Sequence, residues 1–537
     1  MKKKVNKNYS KDKKKTNKFS KDIEVKKILI ENVSQEKGKV SIIARVNRVV
    51  QTGGPTIFMV SDGTGSLGIK GFIKPGERAY PEIEEESIIK ATIEIGEFKG
   101  EIEGEVRSMY EIAGPQREEF LKSIEAIERE RAKVTQDSFL VKSPILDKLK
   151  DGFVRAATEI RLAIIQDRPI IVRHHNDADG YSSGFSLERA ILPLVEKQHS
   201  SEKAAWEFFQ RAPCAAPFYE IDDSIRDTAN SLRNVAKFSN KMPLIIIADN
   251  GSSEQDLMAI KQGKIHGADF IVIDHHGFEK DVISAEVKVH INPFLVGEDG
   301  SHYSAGMLCS EIARFINPEV ENISQIPAMS GFADMIQLGN PEVMELYLKI
   351  AEKEGYTKEL LSDIALVIDY VSTRVRFMEV REYIEVLFGQ PRNKQKELVS
   401  LMAPYIKELY AKGLAMGKSN AVIEKIGKAT LQMVDVDETF PGFGFVPRPG
   451  LAIGLVHDDL KKSTKALVTA GVMRTAITFR ATDEANFSVH ELIKFLENKL
   501  PEAFVGGGGH KNAGSINFLP YKKKEVLELL KEFMSKR

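Results

Sequence analysis

Between residues 168 and 340, short purely apolar runs alternate with longer stretches of helical period. The runs lie at 170–172, 244–248 and 270–273. Uninterrupted aliphatic runs of this length predict strands buried on both faces of a parallel sheet. The stretches 182–198 and 253–265 predict helices between them, which gives an α/β domain. Upstream, 116–165 repeats apolar positions at helical spacing and predicts linker helices, the last running from Ile145 to Ile165. Downstream, 341–424 is rich in Leu, Glu, Lys and Ala and predicts helices at 344–354, 357–368 and 394–412, the last bent at Pro404. From 425 to 537 apolar runs at 431–434, 451–456, 466–468 and 476–479 alternate with helical stretches at 488–499 and 523–535, which predicts a second, smaller α/β domain.

The segment 35–115 has a different period. β-branched runs at 40–50 and 56–60, a turn at Asp62-Gly63-Thr64-Gly65, and further runs at 66–72, 88–95 and 102–110 predict a five-stranded barrel of the oligonucleotide-binding type. Phe58, Phe72 and Phe98 are candidates to stack on bases, or to fill the barrel core. A barrel used only for protein contact is the bland alternative.

Length and composition refine this plan. A chain of 537 residues is too long for one hydrophobic core. Two cysteines exclude a disulfide scaffold or a thiolate metal cluster and fit a reducing cytoplasm. No apolar run is long enough to predict a membrane span, and no apolar stretch follows the lysine-rich start to make it a secretory signal. The net charge of −1 excludes nothing, but residues 1–21 hold ten lysines and one aspartate. Such a tail predicts disorder, either as a solubilising segment or as an arm with affinity for phosphates. The domain plan is a basic tail over 1–30, the barrel at 35–115, linker helices at 116–164, an α/β domain at 165–340, a helical spacer or oligomerisation element at 341–424, and the smaller α/β domain at 425–537.

The candidate chemistry sits where the apolar runs stop. His175, Asp177 and Asp179 follow the first run, Asp249 the second, and Asp274, His275 and His276 the third; Asp334 comes later. In parallel sheets, ligands bind beyond the carboxyl ends of the strands. Asp and His suit Mn²⁺, Mg²⁺ or Zn²⁺. Each motif alone reads as a turn, a cap or a solvated loop. Their joint occurrence at successive strand ends predicts a dinuclear hydrolase site, in which two ions and a bridging carboxylate act on a phosphodiester. His275 and His276, adjacent in extended backbone, would point to opposite faces, one to a metal and one to a phosphate. In the smaller domain Gly506 to Gly509, with His510 and Lys511, predict a glycine-rich turn that grips phosphate or, alternatively, a mobile hairpin tip; Arg480 offers a bidentate fork, and Arg474 is a weaker candidate.

These motifs resemble those of the DHH–DHHA1 phosphoesterase superfamily, in its RecJ-like branch, over 165–340 and 425–537. The match is His-x-Asp-x-Asp-Gly at 175–180, Asp-Asn-Gly at 249–251, Asp-His-His at 274–276, Asp334, and Gly-Gly-His-x-x-Ala-Gly at 508–514. The domain order is most similar to an archaeal helicase-associated nuclease subgroup (HAN-type). The resemblance implies an Mn²⁺-dependent exonuclease of single-stranded DNA, working 3′→5′ in DNA repair or replication-fork processing, with two Mn²⁺ ions and Mg²⁺ as a substitute. It implies His175, Asp177 and Asp249 as ligands of one ion, and Asp179, Asp249, His275 and Asp334 as ligands of the other. Asp274 is then an orienting acid. His276, Arg480, Gly508, Gly509, His510 and Lys511 are substrate contacts. It also implies a homo-oligomer, trimer-based or hexameric, and a helicase or replication complex as partner. The alternatives are a 5′→3′ exonuclease of single-stranded DNA or RNA, a phosphoesterase of small molecules or oligoribonucleotides, and a binding scaffold without activity. The barrel precedes the catalytic domain here and follows the second domain in bacterial RecJ, which puts 5′→3′ polarity in question.

Overall fold

The computed structural model describes residues 26–537 except 36–37, 99–100, 137, 200–203, 215, 239–240, 376–380 and 441–448. Most of the basic tail therefore lies outside the described residues. The chain divides into two compact units, 1–121 and 122–537.

The first unit is a closed barrel of five strands: β1 (Gly38–Gln51), β2 (Thr56–Ser61), β3 (Ser66–Gly71), β4 (Ile88–Phe98) and β5 (Glu101–Glu111), in the order β1-β2-β3-β5-β4. β1 is long enough to pair with both β2 and β4, and a register shift between Val46 and Arg48 bends it round the barrel. The interior is aliphatic, with Val40, Ile42, Val60, Ile69, Ile89 and Ile93 buried. Phe58 is fully buried among them, so it is a core residue and not a platform for bases. Phe72 is 58% exposed, just beyond β3. The Phe98 side chain lies outside the described residues. The turn after β2 is fixed by Asp62, whose carboxylate accepts from the Thr64 amide at 2.9 Å and the Ile30 amide at 2.8 Å.

Helix α1 (Pro115–Ala132) leads into the second unit. There the elements run α2 (Pro144–Ile165), β6 (Ile170–His174), α3 (Ala178–His199), α4 (Ala204–Phe208), β7 (Phe209–Pro213), α5 (Ile221–Phe238), β8 (Leu244–Ala248), α6 (Glu254–Ile265), β9 (Asp269–Ile273) and β10 (Val289–Ile291). The five strands form a parallel sheet in the order β10-β9-β8-β6-β7. Every residue of β6 and β8 is buried, which explains their unbroken aliphatic runs. The chain goes one way from β6 to β7 and the other way from β6 to β8. The crevice of a doubly wound sheet opens at such a switch point.

Helices α7 (Ala305–Ile316), α8 (Ile326–Ala333), α9 (Pro341–Lys353), α10 (Lys358–Ser372), α11 (Arg381–Leu387) and α12 (Arg392–Asn420) follow. α12 continues through Pro404. The same chain covers part of the apolar faces of α9 to α12, while Leu346, Leu401 and Tyr405 stay exposed. Val343, Tyr347, Leu361, Ile368, Val399 and Ile406 join the core that holds α2, α3 and α7. These helices thus brace the parallel-sheet domain from within the chain.

The last part is a mixed sheet ordered β11-β12-β13-β14-β16-β15. Its elements are β11 (Val422–Ile426), β12 (Ala429–Asp435), α13 (Val436–Thr439), α14 (Pro449–Leu460), β13 (Leu467–Val472), β14 (Ala476–Ala481), α15 (Val489–Lys499), β15 (Gly506–His510), β16 (Ala513–Asn517) and α16 (Lys523–Ser535). The apolar run 451–456, expected as a strand, is the body of α14. Ala452, Ile453 and Val456 recur at helical spacing on its buried side, and Pro449 starts it. Among the described residues no helix is long and apolar enough to cross a membrane. Cys214 and Cys309 are free and buried.

Candidate metal centre

The switch point of the parallel sheet gathers all eight acidic and imidazole candidates of the 168–340 segment. His175 follows β6. Asp177 lies just before α3, and Asp179 in its first turn. The three are therefore not on one extended face. Asp249 follows β8 with a left-handed φ of 59°, and its amide donates to the Ile273 carbonyl at 2.9 Å. Asp274, His275 and His276 follow β9. Asp334 ends α8.

Two groups face each other across Asp249. His175 Nδ1 lies 2.6 Å from Asp177 Oδ2 and 3.5 Å from Asp249 Oδ2. His275 Nε2 lies 3.5 Å from Asp249 Oδ1, 3.1 Å from Asp334 Oδ2 and 3.8 Å from Asp179 Oδ2. One oxygen of Asp249 thus looks at each group. The candidate ligand atoms of His175, Asp177 and Asp249 lie within 4.8 Å of one another, as do those of Asp179, His275 and Asp334.

Both Asp249 carboxylate oxygens and His275 Nε2 are buried without a hydrogen bond. Buried polar atoms are almost always hydrogen-bonded, and a buried carboxylate that makes no hydrogen bond is costly. A cation between the two groups removes that cost, and the oxygen and nitrogen donor set suits Mn²⁺, Mg²⁺ or Zn²⁺. The residues therefore fit a metal.

The surroundings hold these donors in place. His275 Nδ1 is 3.1 Å from the Gly300 carbonyl, which only accepts, so Nδ1 carries a proton and a neutral ring would turn its Nε2 lone pair to the site. The Asp179 carboxylate caps α7: it accepts from the Ala305 amide at 2.9 Å, the Gly306 amide at 2.8 Å and the Ser330 hydroxyl. Residue 306 must be glycine for this, because a Cβ there would stand 2.8 Å from Asp179 Oδ1 and 2.4 Å from Ser330 Oγ. Asp369 of α10 accepts from the Ala178 amide at 2.8 Å and so fixes the start of α3.

The electrostatics follow from crowding. Burial opposes the charge on His175, but the Asp177 and Asp249 carboxylates outweigh it and raise its pKa to about 10. Burial likewise opposes charge on His275, and Asp249, Asp334 and Asp179 together raise its pKa well above the usual range. Burial, with Asp249 and Asp334 nearby, raises that of Asp179. Asp274 goes the other way: although burial acts against it, His276 holds its carboxyl well below the usual range.

The Asp274 carboxylate is turned towards its two histidine neighbours. Its Oδ1 accepts from the His275 amide at 2.8 Å, the His276 amide at 3.2 Å and His276 Nδ1 at 2.8 Å. The two imidazoles are not on opposite faces, since their ring centroids are 4.6 Å apart. His276 Nδ1 also comes within 3.8 Å of Asp249.

A polar chain behind Asp274 has no signal in the sequence. Ser252 contacts the Asp274 carboxylate and lies 2.9 Å from His290 Nε2. His290 Nδ1 lies 2.9 Å from the Ser284 hydroxyl. Asn292 donates to Ser252 Oγ and to the His276 carbonyl, both at 3.0 Å.

The phosphate-grip candidates lie on the mixed sheet. Gly506 to Gly509 form strand β15, not an open turn, and the turn is Lys511 and Asn512. Gly507 and Gly509 have φ of 158° and 115°, and a Cβ on either would strike β16. Close strand pairing thus requires them. Gly508 is half-buried, and Gly509 and Lys511 are exposed. Gln432, Thr469, Arg480, Ala513 and His510 stand opposite one another across five strands. The His510 side chain lies outside the described residues. Burial lowers the Arg480 pKa, and its Nη1 donates to the Phe479 carbonyl at 3.0 Å. Arg474 is exposed in the turn at the far end of β14 from Arg480. The mixed sheet meets the parallel one where Gln255 of α6 donates to the Gly507 carbonyl at 2.5 Å and Lys494 of α15 pairs with Glu279 at 2.6 Å.

Comparison with known proteins places this arrangement. No family model matches the chain. An uncharacterised protein of Methanocaldococcus jannaschii is 33% identical over an alignment of 518 positions that covers 91% of this chain and 67% of that protein. A solved DHH-domain structure, described as a member of the S1p family of ribosomal proteins, is 36% identical with a TM-score of 0.74. It covers 79% of this chain and 99% of its own. A crystal structure of exonuclease RecJ bound to manganese shares the fold at 16% identity, with a TM-score of 0.50 over 75% of this chain and 97% of that one. With the motif residues converging on one crevice, the chain belongs to the DHH-domain family and shares its fold with RecJ.

Proposed function

We propose that this protein is a metal-dependent exonuclease of single-stranded DNA that works 3′→5′ and releases mononucleotides. The observation that carries the hydrolytic part is Asp249, buried with both oxygens unsatisfied between two groups of ligand-type side chains. His175, Asp177 and Asp249 would hold one Mn²⁺ or Mg²⁺ ion, and Asp179, Asp249, His275 and Asp334 the other. Bound there, the ions neutralise a phosphodiester and acidify the attacking water. The protein's own groups do the rest. Asp274 fixes the His276 ring through Nδ1, and His276 would contact the scissile phosphate. Arg480, His510 and Lys511 hold neighbouring phosphates. The mixed sheet approaches the parallel sheet at Gly507, which suits a strand bound by both.

The barrel supports a polymer over a dinucleotide, since its surface would add contacts that a short substrate cannot use. The RecJ structure is described as an exonuclease with manganese, in keeping with this reading. The 3′→5′ polarity, a role in DNA repair or replication, and a helicase partner rest on the subgroup resemblance. A second reading, single-stranded RNA as substrate, is favoured by the relative described within a ribosomal-protein family.

End-labelled DNA and RNA oligonucleotides, labelled at either end and incubated with Mn²⁺ or Mg²⁺, test all of this. Shortening from the 3′ end to mononucleotides is the expected result. Release only from the 5′ end reverses the polarity, preference for RNA selects the second reading, and intact substrate with either metal removes the hydrolase.

A further inference from the structure

The amide of Ala178 stands between two candidate ligands, Asp177 and Asp179. It donates to Asp369 Oδ1 at 2.8 Å. Asp369 belongs to the helical segment 341–424 and sits in the last turn of α10. A carboxylate at that end opposes the dipole of its own helix, whereas at the start of α3 it is favourable. The charge is thus placed for α3 and against α10.

The peptide between Asp177 and Ala178 is held on both sides. Its N–H goes to Asp369, and its carbonyl accepts from the Tyr181 amide at 2.9 Å. Asp177 Oδ1 accepts from the Gly180 amide at 2.9 Å, while Oδ2 faces His175 Nδ1. The turn is tight, since a Cβ on Gly180 would stand 2.1 Å from the His175 carbonyl oxygen. Asp179 is held differently, by Ala305, Gly306 and Ser330 on α7 and α8. Slack at the start of α3 would therefore reach Asp177 first. α10 is a firm base for the contact. Its Leu361, Ile364 and Ile368 lie in the main core, and it packs on both α3 and α8.

We propose that Asp369 is a positioning residue for the metal centre. Through the Ala178 amide it sets Asp177, and so the ion that His175, Asp177 and Asp249 would hold. The inference rests on the metal-dependent reading above. It gives the segment 341–424 a part in the site, although none of its residues is among the candidate ligands. Partners behind metal ligands commonly govern affinity in this way.

Asp369→Ala tests it on the full chain. Alanine favours helix and takes an unfavourable charge from the end of α10, so the fold should persist. Calorimetric titration should show Mn²⁺ binding weakened about 10- to 100-fold. Asp369→Asn keeps an acceptor oxygen and should restore most of the affinity. A double-mutant cycle locates the effect. With His175→Ala the first ion is already lost, so adding Asp369→Ala should cost little more. With Asp334→Ala the cost should remain. A general loosening of the fold would weaken both backgrounds alike. Parent affinity in Asp369→Ala, an asparagine variant as weak as the alanine one, or equal costs in the two backgrounds overturns the proposal and leaves the metal centre standing. A parent protein that takes up no Mn²⁺ removes the metal-dependent reading, and this inference with it.

Discussion

Ser252 Oγ lies 2.9 Å from His290 Nε2. Ser252 has one proton, and the neighbouring Asp274 carboxylate can only accept it. His290 Nε2 must then carry the hydrogen that points at Ser252. Burial lowers the His290 pKa, and its Nδ1 lies 2.9 Å from the Ser284 hydroxyl. His290 thereby sets the direction of the Ser252 hydroxyl, which supports Asp274, which in turn holds His276.

His290→Ala should therefore reduce kcat about 10- to 100-fold, the usual effect of losing a partner behind a reacting group, with KM little changed. His290→Gln keeps a donor near the Nε2 position and should recover part of the loss. Equal kinetics for the alanine and glutamine variants, or a change confined to KM, would count against this chain.

Asp249→Asn should abolish hydrolysis, by about 100-fold or more, and remove the rise in Tm that Mn²⁺ gives the parent protein. Asparagine is the informative replacement because φ at this position is 59°, a conformation that Asn adopts readily and Ala does not. Calorimetric titration with Mn²⁺ provides the check. Full metal affinity in this variant would remove Asp249 as the shared ligand.

Metal binding should release protons. His175 has a folded pKa of about 10 against an ordinary value of 6.5, so at neutral pH it is protonated in the metal-free fold. The stability this contributes is complete below the ordinary value and is lost as pH rises through about 10. The raised Asp179 pKa acts in the same direction, since the folded state holds its proton beyond the ordinary carboxylate range and loses that advantage as pH rises. Ligation needs neutral imidazole and ionised carboxylate, so Mn²⁺ affinity should climb about tenfold per pH unit per proton displaced. Titration in buffers of different ionisation enthalpy counts the protons. Affinity independent of pH between about 6 and 8 contradicts the prediction.

How far this site was legible depends on range. The runs ending at Val172, Ala248 and Ile273 announced their strands because both faces are buried, and the parallel-sheet rule then placed His175, Asp249 and His275 together. The run at 451–456 misled because a short aliphatic segment reads alike as strand or helix until its flanks are weighed, and Pro449 was the deciding residue. Gly506 to Gly509 suggested a turn by composition, whereas close pairing with β16 made them a strand. Asp369, Ser252 and His290 carried no local signal. Asp369 reaches Ala178 from 191 positions away, and His290 sits on a three-residue strand whose place is set only by pairing with β9.

The two barrel phenylalanines should separate stability from binding. Phe58→Ala empties the core and should cost about 3–5 kcal/mol of stability. Phe72→Ala should leave unfolding unchanged and weaken single-strand binding by about 1–3 kcal/mol, the range for one stacked base. Denaturant unfolding and fluorescence anisotropy with a labelled oligonucleotide measure the two effects. Unaltered anisotropy for Phe72→Ala assigns the barrel face to another use.

Arg480 stands between Thr469 and Ala513 in the cross-strand row that ends at His510. Burial lowers its pKa, but a guanidinium stays charged across the working range, so the sheet keeps a cation here whatever the pH. Arg480→Ala should raise KM about tenfold or more and reduce kcat less, because a phosphate away from the scissile bond is held alike in the ground and transition states. Arg480→Lys keeps the charge and loses the fork. If the fork matters it should fall close to the alanine variant, and if charge alone matters it should fall close to the parent. Steady-state kinetics on an oligonucleotide series distinguish these outcomes. The defect should grow with length until the strand spans the row and then level off. A defect that is the same for a dinucleotide and a long strand would instead place Arg480 at the scissile phosphate itself.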